Sequence, residues 1–85
     1  MVDRRRPEYE RLTTLLRELR RARGLSQAEL GALIGVPQWT VSYFETGERR
    51  VDVVELADIA RALGVTVPDI LDRAEIRGRE PVKPE

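Results

Sequence analysis

Helix-start signals at intervals along the chain constrain its fold more than any other feature of the sequence. Ser26 and Glu29 have the spacing of a capping box, in which the serine oxygen accepts a bond from a free backbone N–H and the glutamate reaches back. Asp52 and Glu55 repeat this spacing, and glycines, which commonly end helices, stand at positions 24, 35, 47 and 64. No segment alternates apolar and polar residues, so these signals predict an all-α chain of short helices.

Apolar residues recur between these signals at the three- and four-residue spacing of one helix face. The predicted helices cover about residues 8–23, 27–34 and 37–45, then a segment from Asp52 to Gly64, and a short fifth helix that begins near Thr66 and Asp69 and carries Pro68.

These helices predict one apolar core. Gly31 lies inside the second helix, and we expect it to let another helix approach closely. The apolar positions that share helix faces are Leu12, Leu15, Leu16, Leu19 and Ala22 in the first helix; Ala28, Leu30 and Ile34 in the second; Val41 and Phe44 in the third; Val53, Leu56, Ile59, Ala60 and Leu63 in the fourth; and Ile70 and Leu71 in the fifth.

The length of the chain limits its organisation. An 85-residue chain can bury one modest core and has no room for a deep substrate cleft. We expect residues 1–7 to form a flexible basic arm, residues 8–72 to form the domain and residues 73–85 to form a flexible tail. No apolar run approaches the ~18 residues of a membrane span, and no apolar signal region opens the chain. The expected location is therefore the cytoplasm, with no membrane partner.

The supply of residue types removes several classes of function. The chain contains no cysteine and no histidine, so it lacks thiolate metal ligands, the commonest general base and the commonest metal ligand. Its carboxylates are scattered, with no recognisable acid–base pair. The sequence therefore predicts a protein that is not an enzyme and that holds no cofactor, no metal ion and no small-molecule ligand.

The formal net charge of zero hides an uneven distribution of charge. Residues 1–25 contain eight arginines and four carboxylates, whereas residues 51–72 contain one arginine and five carboxylates. Because binding depends on the local field, a neutral total does not exclude a polyanionic partner. Charges that only solvate the helices are an equally good interpretation of this feature alone.

The second and third predicted helices, joined by a short turn that contains Gly35, have the form of a helix-turn-helix over residues 26–46. The second helix of such a unit fits the DNA major groove, and the first offers its N-terminal N–H groups to a phosphate. The chain carries the stretch RRARGLSQAELGALIGVPQWTVSYFETGERR, followed by LADIARALGV. With these ordered motifs it resembles the Xre/Cro-type helix-turn-helix family of phage and bacterial regulators over about residues 10–72.

The resemblance implies a compact five-helix, lambda-repressor-like domain that binds a specific double-stranded DNA sequence and regulates transcription, most simply as a repressor. The residues that it places at base edges or nearby sugars are Gln38, Trp39, Ser42 and Tyr43. The residues that it places at DNA phosphates are Gln27, Thr46, Gly47, Arg49 and Arg50. It also implies an ion pair between Arg20 and Glu45, as a structural tie between the first and third helices.

The residue types in the third helix suit this role without requiring it. The amide of Gln38 can bond N6 and N7 of adenine, although an exposed first-turn glutamine needs no such partner. Trp39 and Tyr43 lie one turn apart, opposite the predicted core positions, which favours their exposure. They could meet a thymine methyl or a sugar–phosphate edge, or they could form a protein-binding patch. Ser42 suits a base, a phosphate or solvent.

Other positions depart from the family pattern or leave DNA contact open. Arg49 and Arg50 can displace counterions from phosphates, and a solvated pair is the alternative. Pro37 replaces the common serine or threonine, Thr46 replaces the common asparagine, and Glu48 places a negative charge near the expected phosphate path.

The third helix contains no basic residue, so a single copy is expected to bind DNA weakly. We therefore expect a homodimer, which in this fold places two such helices about 34 Å apart on one face of the duplex. The fifth helix and the segment after it supply the candidate interface, through Ile70, Leu71 and Ile76. The alternative is that Ile70 and Leu71 only close the core.

Two classes of function remain open at this point. The first is a DNA-binding regulator, as a phage-type repressor, an antitoxin-like autoregulator or a controller of a restriction-modification system. The second is a protein-interaction module on the same fold that uses the face of Trp39 and Tyr43 and binds DNA weakly or not at all. A protein partner, such as a toxin or polymerase, cannot be identified from these residues.

Overall fold

A computed structural model describes residues 7–78 and 80–84, and five α-helices joined by short turns make up this part of the chain. The helices are α1 Pro7–Ala22, α2 Gln27–Ile34, α3 Gln38–Thr46, α4 Val53–Leu63 and α5 Val67–Arg73. The all-α prediction is confirmed, and no strand occurs within the described residues. The arm predicted over residues 1–7 lies outside them except for Pro7, which begins α1.

Both predicted capping boxes are formed in full. At α2, Ser26 Oγ accepts from Glu29 N at 3.0 Å, and Glu29 Oε1 accepts from Ser26 N at 2.8 Å. At α4, Asp52 Oδ1 accepts from Glu55 N at 2.7 Å, and Glu55 Oε1 accepts from Asp52 N at 3.0 Å. The bonds from Ser26 lower the pKa of the Glu29 carboxyl because they stabilise its charged form.

The third helix begins one residue later than predicted. Pro37 was expected to be its first helical residue, but its ψ of 159° is extended, so Pro37 is the N-cap and Gln38 is the first residue of α3. Proline has no side-chain oxygen, and this cap makes no side-chain hydrogen bond. The first turn of α3 is closed instead by a backbone hydrogen bond, in which Thr40 N donates to the Pro37 carbonyl at 3.1 Å.

One core is shared by all five helices. Its buried hydrophobic residues are Leu12, Leu16, Leu30, Val41, Phe44, Leu56, Ile59, Ala60, Leu63, Ile70 and Ala74. Three positions expected to face it are exposed: Ala22, Ala28 and Val53. Ala28 stands two residues before the buried Leu30, which is about 200° around a helix, so the two side chains point in nearly opposite directions.

The turn between α2 and α3 explains the glycine inside α2. A Cβ on Gly31 would lie 2.6 Å from the backbone oxygen of Val36 and 3.4 Å from the carbonyl carbon of Pro37. The close approach is thus made by the backbone of the turn, not by another helix as predicted. Gly35, at φ 79°, adopts the left-handed conformation that makes the turn short enough.

The chain continues as ordered structure beyond the predicted domain boundary at residue 72. Arg73 ends α5, Ala74 is 1% exposed and Ile76 packs against the core. Arg11 of α1 donates from Nε to the Ala74 carbonyl at 2.7 Å and from Nη2 to the Glu75 carbonyl at 3.2 Å. The tail prediction was wrong for this segment because two apolar residues between charges leave no periodic signal, yet they bury against α1.

We predict that Gly31→Ala destabilises the domain even though alanine is the better helix former. The added Cβ meets backbone, which cannot rotate away, so the cost of overpacking, about 1–3 kcal/mol, outweighs the propensity gain of roughly 1 kcal/mol. Urea unfolding followed by circular dichroism measures the difference. Ala32→Ser, at the exposed neighbouring position, is the matched control and should change stability by about 0.5 kcal/mol or less. A Gly31→Ala variant that is more stable than the parent would contradict the close contact.

Candidate nucleic-acid interface

Helix α3 has one face in the core and one in solvent. Val41 is 1% exposed and Phe44 2%, whereas Trp39 is 56% exposed and Tyr43 42%. Gln38 is exposed as well, and Ser42 lies half-buried at the edge between the two faces. The expected exposure of the aromatic pair is therefore met, and a large apolar area is offered to a partner.

The two exposed aromatic rings form a single unit. Their centroids are 5.7 Å apart with an interplanar angle of 63°, an edge-to-face arrangement that aromatic pairs favour. Each ring restricts the rotation of the other, so less side-chain entropy is lost when a partner covers them. The outer face of α3 is thus preorganised and largely uncharged.

A buried ion pair holds α3 against α1. Arg20 Nε lies 2.6 Å from Glu45 Oε2, and Arg20 Nη2 lies 3.0 Å from Glu45 Oε1. Both side chains are over nine-tenths buried, and a third guanidinium nitrogen donates to the Leu25 carbonyl at 2.8 Å. The hydrogen bond to Glu45 raises the pKa of Arg20 above its ordinary value. The ion pair implied by the sequence resemblance is formed, with two-point geometry that fixes orientation as well as distance.

The same carboxylate starts a relay of hydrogen bonds that reaches the protein surface. Gln27 Nε2 donates to Glu45 Oε1 at 3.1 Å, and Gln38 Nε2 donates to Gln27 Oε1 at 2.7 Å. A carboxylate can only accept, so Gln27 must turn its NH₂ group to Glu45 and its oxygen to Gln38. Gln38 is then left with its amide oxygen and one N–H for an outside partner. This relay was not foreseen from sequence; its one signal is a glutamine at the first position of both helices.

The segment after α3 folds back on itself. Gly47 ends the helix at φ 81°, and Thr46 Oγ1 donates to Glu48 Oε1 at 3.1 Å. The negative charge noted in the sequence is therefore held close to the end of α3. Both side chains are exposed, so this small cluster lies at the surface beside the outer face of α3.

The two adjacent arginines of this segment have different surroundings. Arg49 Nη2 pairs with Glu55 Oε2 at 2.8 Å, and its guanidinium lies 5.1 Å from the centroid of the Phe44 ring. The guanidinium of Arg50 lies 5.8 Å from the centroid of the Tyr9 ring. Sequence reasoning assigned Glu55 only to the capping box of α4 and did not single out Tyr9, because their contacts with the two arginines follow no periodic signal.

Tyr9 also fixes the path of the backbone after α3. Its hydroxyl accepts a hydrogen bond from Val51 N at 2.8 Å, across 42 positions of sequence. This bond joins the first turn of α1 to the α3–α4 loop and so fixes the backbone next to Arg50. Arg49 and Arg50, two of the residues expected at phosphates, thus lie on a loop held at both ends.

The structure also limits the proposed dimer surface. Ile70 is fully buried at 0% exposure, so its predicted role in an interface is wrong and it closes the core instead. Leu71 and Ile76 are half-buried and line a groove of about 360 Å³ together with Tyr9 and Leu12.

Within the described residues no helix is long and apolar enough to cross a membrane.

Comparison with known proteins places this chain among helix-turn-helix proteins. A family model described as helix-turn-helix (HTH_3) matches residues 16–70. A curated HTH-type transcriptional regulator of otherwise uncharacterised role, y4dJ of Sinorhizobium fredii (strain NBRC 101917 / NGR234), is 44% identical over 48 residues. That match covers 56% of this chain and 62% of the relative, so the matched part spans less than two thirds of the relative's length.

Solved structures give the same result. An XRE-family-like protein from Pseudomonas syringae pv. tomato str. DC3000 superposes with a TM-score of 0.75 at 43% identity, covering 80% of this chain and 83% of that one. The clp gene regulator ClgR from Corynebacterium glutamicum also gives a TM-score of 0.75, at 32% identity, covering 80% of this chain and 72% of that one.

We predict that Glu45→Gln destabilises the domain by about 3–5 kcal/mol, because it leaves the Arg20 charge buried without its counter-charge. This is a large share of the stability of a small domain, so partial unfolding at 25 °C is expected. Urea denaturation gives the magnitude. Glu48→Gln removes a carboxylate that is exposed and should shift stability by about 0.5 kcal/mol or less. Equal effects of the two substitutions would show that the buried pair is not special.

Proposed function

The chain belongs to the XRE family of helix-turn-helix DNA-binding transcriptional regulators, and we propose that it recognises a specific double-stranded DNA site with α3 in the major groove. The observation that carries this proposal is the oriented amide of Gln38 at the start of α3, held by Gln27 and Glu45. A rigid helix with its inner face in the core and a directed polar group on its outer face suits readout of base edges.

Adenine is the base that the free atoms of Gln38 fit. Adenine presents N7 as an acceptor and the N6 amino group as a donor in the major groove. The remaining N–H of Gln38 can donate to N7 while its oxygen accepts from N6. Because the relay fixes which amide atom faces Gln27, the glutamine does not have to choose an orientation when it meets the base.

The aromatic pair suits apolar contact next to that base. Trp39 and Tyr43 expose edges and faces on the outer side of α3, where a thymine methyl or a deoxyribose offers apolar surface. Ser42, half-buried between the pair and the core, can bond a base or a phosphate. None of these residues is cationic, so specificity at this face comes from hydrogen bonds and shape rather than from charge.

Phosphate contacts are proposed on both sides of α3. The side-chain amide of Gln27 bonds Glu45 and Gln38 and retains one N–H, which together with the backbone N–H at the start of α2 can donate to a phosphate. Thr46 and Gly47 lie at the end of α3, where the missing side chain of Gly47 lets the sugar–phosphate chain approach. Arg50 supplies a cation on the loop that follows.

We also propose that the chain acts as a homodimer and as a repressor in the bacterial cytoplasm, where occupancy of the site blocks polymerase. Leu71 and Ile76 give a half-buried apolar surface beside Tyr9 and Leu12, which a second copy related by a two-fold axis can cover. Sedimentation with the selected duplex counts the chains bound, and transcription in vitro from a promoter that contains the site gives the sign of regulation.

We predict that Gln38→Ala and Arg50→Gln have different effects on DNA binding. Gln38→Ala should lose about 1–3 kcal/mol of discrimination at one base pair of a duplex selected from a random-sequence pool. Arg50→Gln should weaken binding to every sequence alike and flatten the salt dependence. Fluorescence anisotropy over a panel of single-base variants at two salt concentrations makes both measurements.

Arg61→Gln is the charge-matched control for Arg50→Gln, since Arg61 is exposed near the end of α4. It should leave affinity close to that of the parent chain. Selection that enriches no sequence, together with binding that does not respond to salt, would reject specific DNA recognition and leave a protein-interaction role for the aromatic face.

Trp39 is the only tryptophan in the chain, and we predict that its fluorescence reports the contact directly. Burial of its 56% exposed side chain against DNA should shift the emission to shorter wavelength and protect it from iodide quenching. Tyr43→Phe keeps the ring that contacts Trp39 and removes only the hydroxyl, so it is the matched control for the aromatic pair. An unchanged tryptophan signal during saturable DNA binding would place the aromatic pair outside the interface.

A further inference from the structure

We propose that Glu55 is a positioning residue that keeps Arg49 from neutralising DNA phosphate, so that Arg50 alone supplies the loop's phosphate charge. This inference rests on the proposed DNA-binding function and refines it. It departs from the sequence-based expectation that both arginines contact phosphates. It also gives the acidic residue at the start of α4 a role in setting affinity.

Three contacts hold Arg49 against the domain. Its Nη2 lies 2.8 Å from Glu55 Oε2, its guanidinium lies 5.1 Å from the Phe44 ring centroid, and its backbone N–H donates to the Tyr43 carbonyl at 3.1 Å. Phe44 is itself locked in the core. The Arg49 side chain therefore lies along the protein surface between α3 and α4.

Glu55 is better fixed than an ordinary surface carboxylate. Its Oε1 is occupied by the backbone N–H of Asp52 in the capping box, which leaves Oε2 directed at Arg49. Its side chain is only 22% exposed. Since the capping box has already removed the rotational freedom of Glu55, the ion pair loses less entropy on formation than an exposed pair of two free side chains.

Arg50 is held without being neutralised. Its guanidinium lies over the Tyr9 ring, which is uncharged, and no carboxylate of residues 7–78 or 80–84 forms an ion pair with it. Tyr9 is anchored in turn by its bond from Val51 N. Among the described residues, the loop thus presents two adjacent cations, of which Arg49 is paired with a carboxylate and Arg50 is not.

The difference between Arg49 and Arg50 is measurable, because the number of counterions released depends on the net positive charge that the protein places on phosphates. Each phosphate neutralised contributes about 0.9 to the slope of log Kobs against log salt concentration. An arginine bonded to a carboxylate carries little net charge toward a phosphate, so it should add little to the slope. Glu48, held at Thr46 Oγ1, lowers the local field further.

The test uses the full chain and the duplex selected from the random pool, with binding measured from low to moderate salt. The variants are Arg49→Gln, Arg50→Gln, Glu55→Gln and the double variant Glu55→Gln with Arg49→Gln. Glutamine is an accepted capping-box residue at the position of Glu55, so α4 should keep its start, which circular dichroism verifies. Asp58→Asn, which removes an exposed carboxylate from the same helix, controls for a general change in net charge.

The expected result is a slope smaller by about 0.9 per chain for Arg50→Gln and unchanged for Arg49→Gln. Glu55→Gln should steepen the slope by a similar amount and tighten binding several-fold at low salt, and the double variant should lose that gain. The inference is overturned if Arg49→Gln flattens the slope as much as Arg50→Gln. It is also overturned if Glu55→Gln has no effect, or no more effect than Asp58→Asn.

Salt-dependent DNA binding by the parent chain distinguishes a failure of this inference from a failure of the proposed function. If the parent binds the duplex with a clear salt slope, only the differences among variants bear on Glu55. If the parent shows no salt-dependent binding at all, the proposed DNA recognition is wrong and the inference falls with it.

Discussion

The position of the outer face of α3 depends on the buried pair between Arg20 and Glu45. A helix of nine residues has little stability in isolation, so its place in the domain must come from tertiary contacts. Val41 and Phe44 supply the apolar part, but apolar packing alone tolerates rotation and sliding. A buried guanidinium and carboxylate tolerate neither, since any loss of their hydrogen bonds leaves a charge unsatisfied in the core.

The same carboxylate gives direction to the polar groups around it. Because Glu45 can only accept, the amide of Gln27 is oriented by it, and the amide of Gln38 is oriented in turn. The ion pair in the core therefore determines, through the side chains of Gln27 and Gln38, which amide atoms face solvent. Helix α3 thereby presents a directed hydrogen-bonding group on its outer face without carrying a cation.

The fold could be predicted from short-range signals, whereas the site could be predicted only in outline. Capping boxes and glycines act within four residues, so the ends of α2 and α4 were found correctly. The relay from Glu45 to Gln38 and the pairing of Arg49 with Glu55 depend on rotamers and on how helices meet, which no periodic pattern contains. The errors at Ile70 and in the segment after Arg73 have one cause, since an apolar residue in the sequence does not show which neighbour will cover it. The error at Ala28 has another, because its position on the helix points it away from Leu30.

The contacts of the first turns of α1 have a consequence for the order in which the domain is completed. Tyr9 reaches Val51 across 42 positions, and Arg11 reaches the Ala74 carbonyl across 63. Closing these two loops costs more entropy than closing the loop of 25 positions between Arg20 and Glu45. During synthesis, Arg20 near the end of α1 can pair with Glu45 of α3 before Val51 and Ala74 have been added. The first turns of α1 are therefore secured after its last turn.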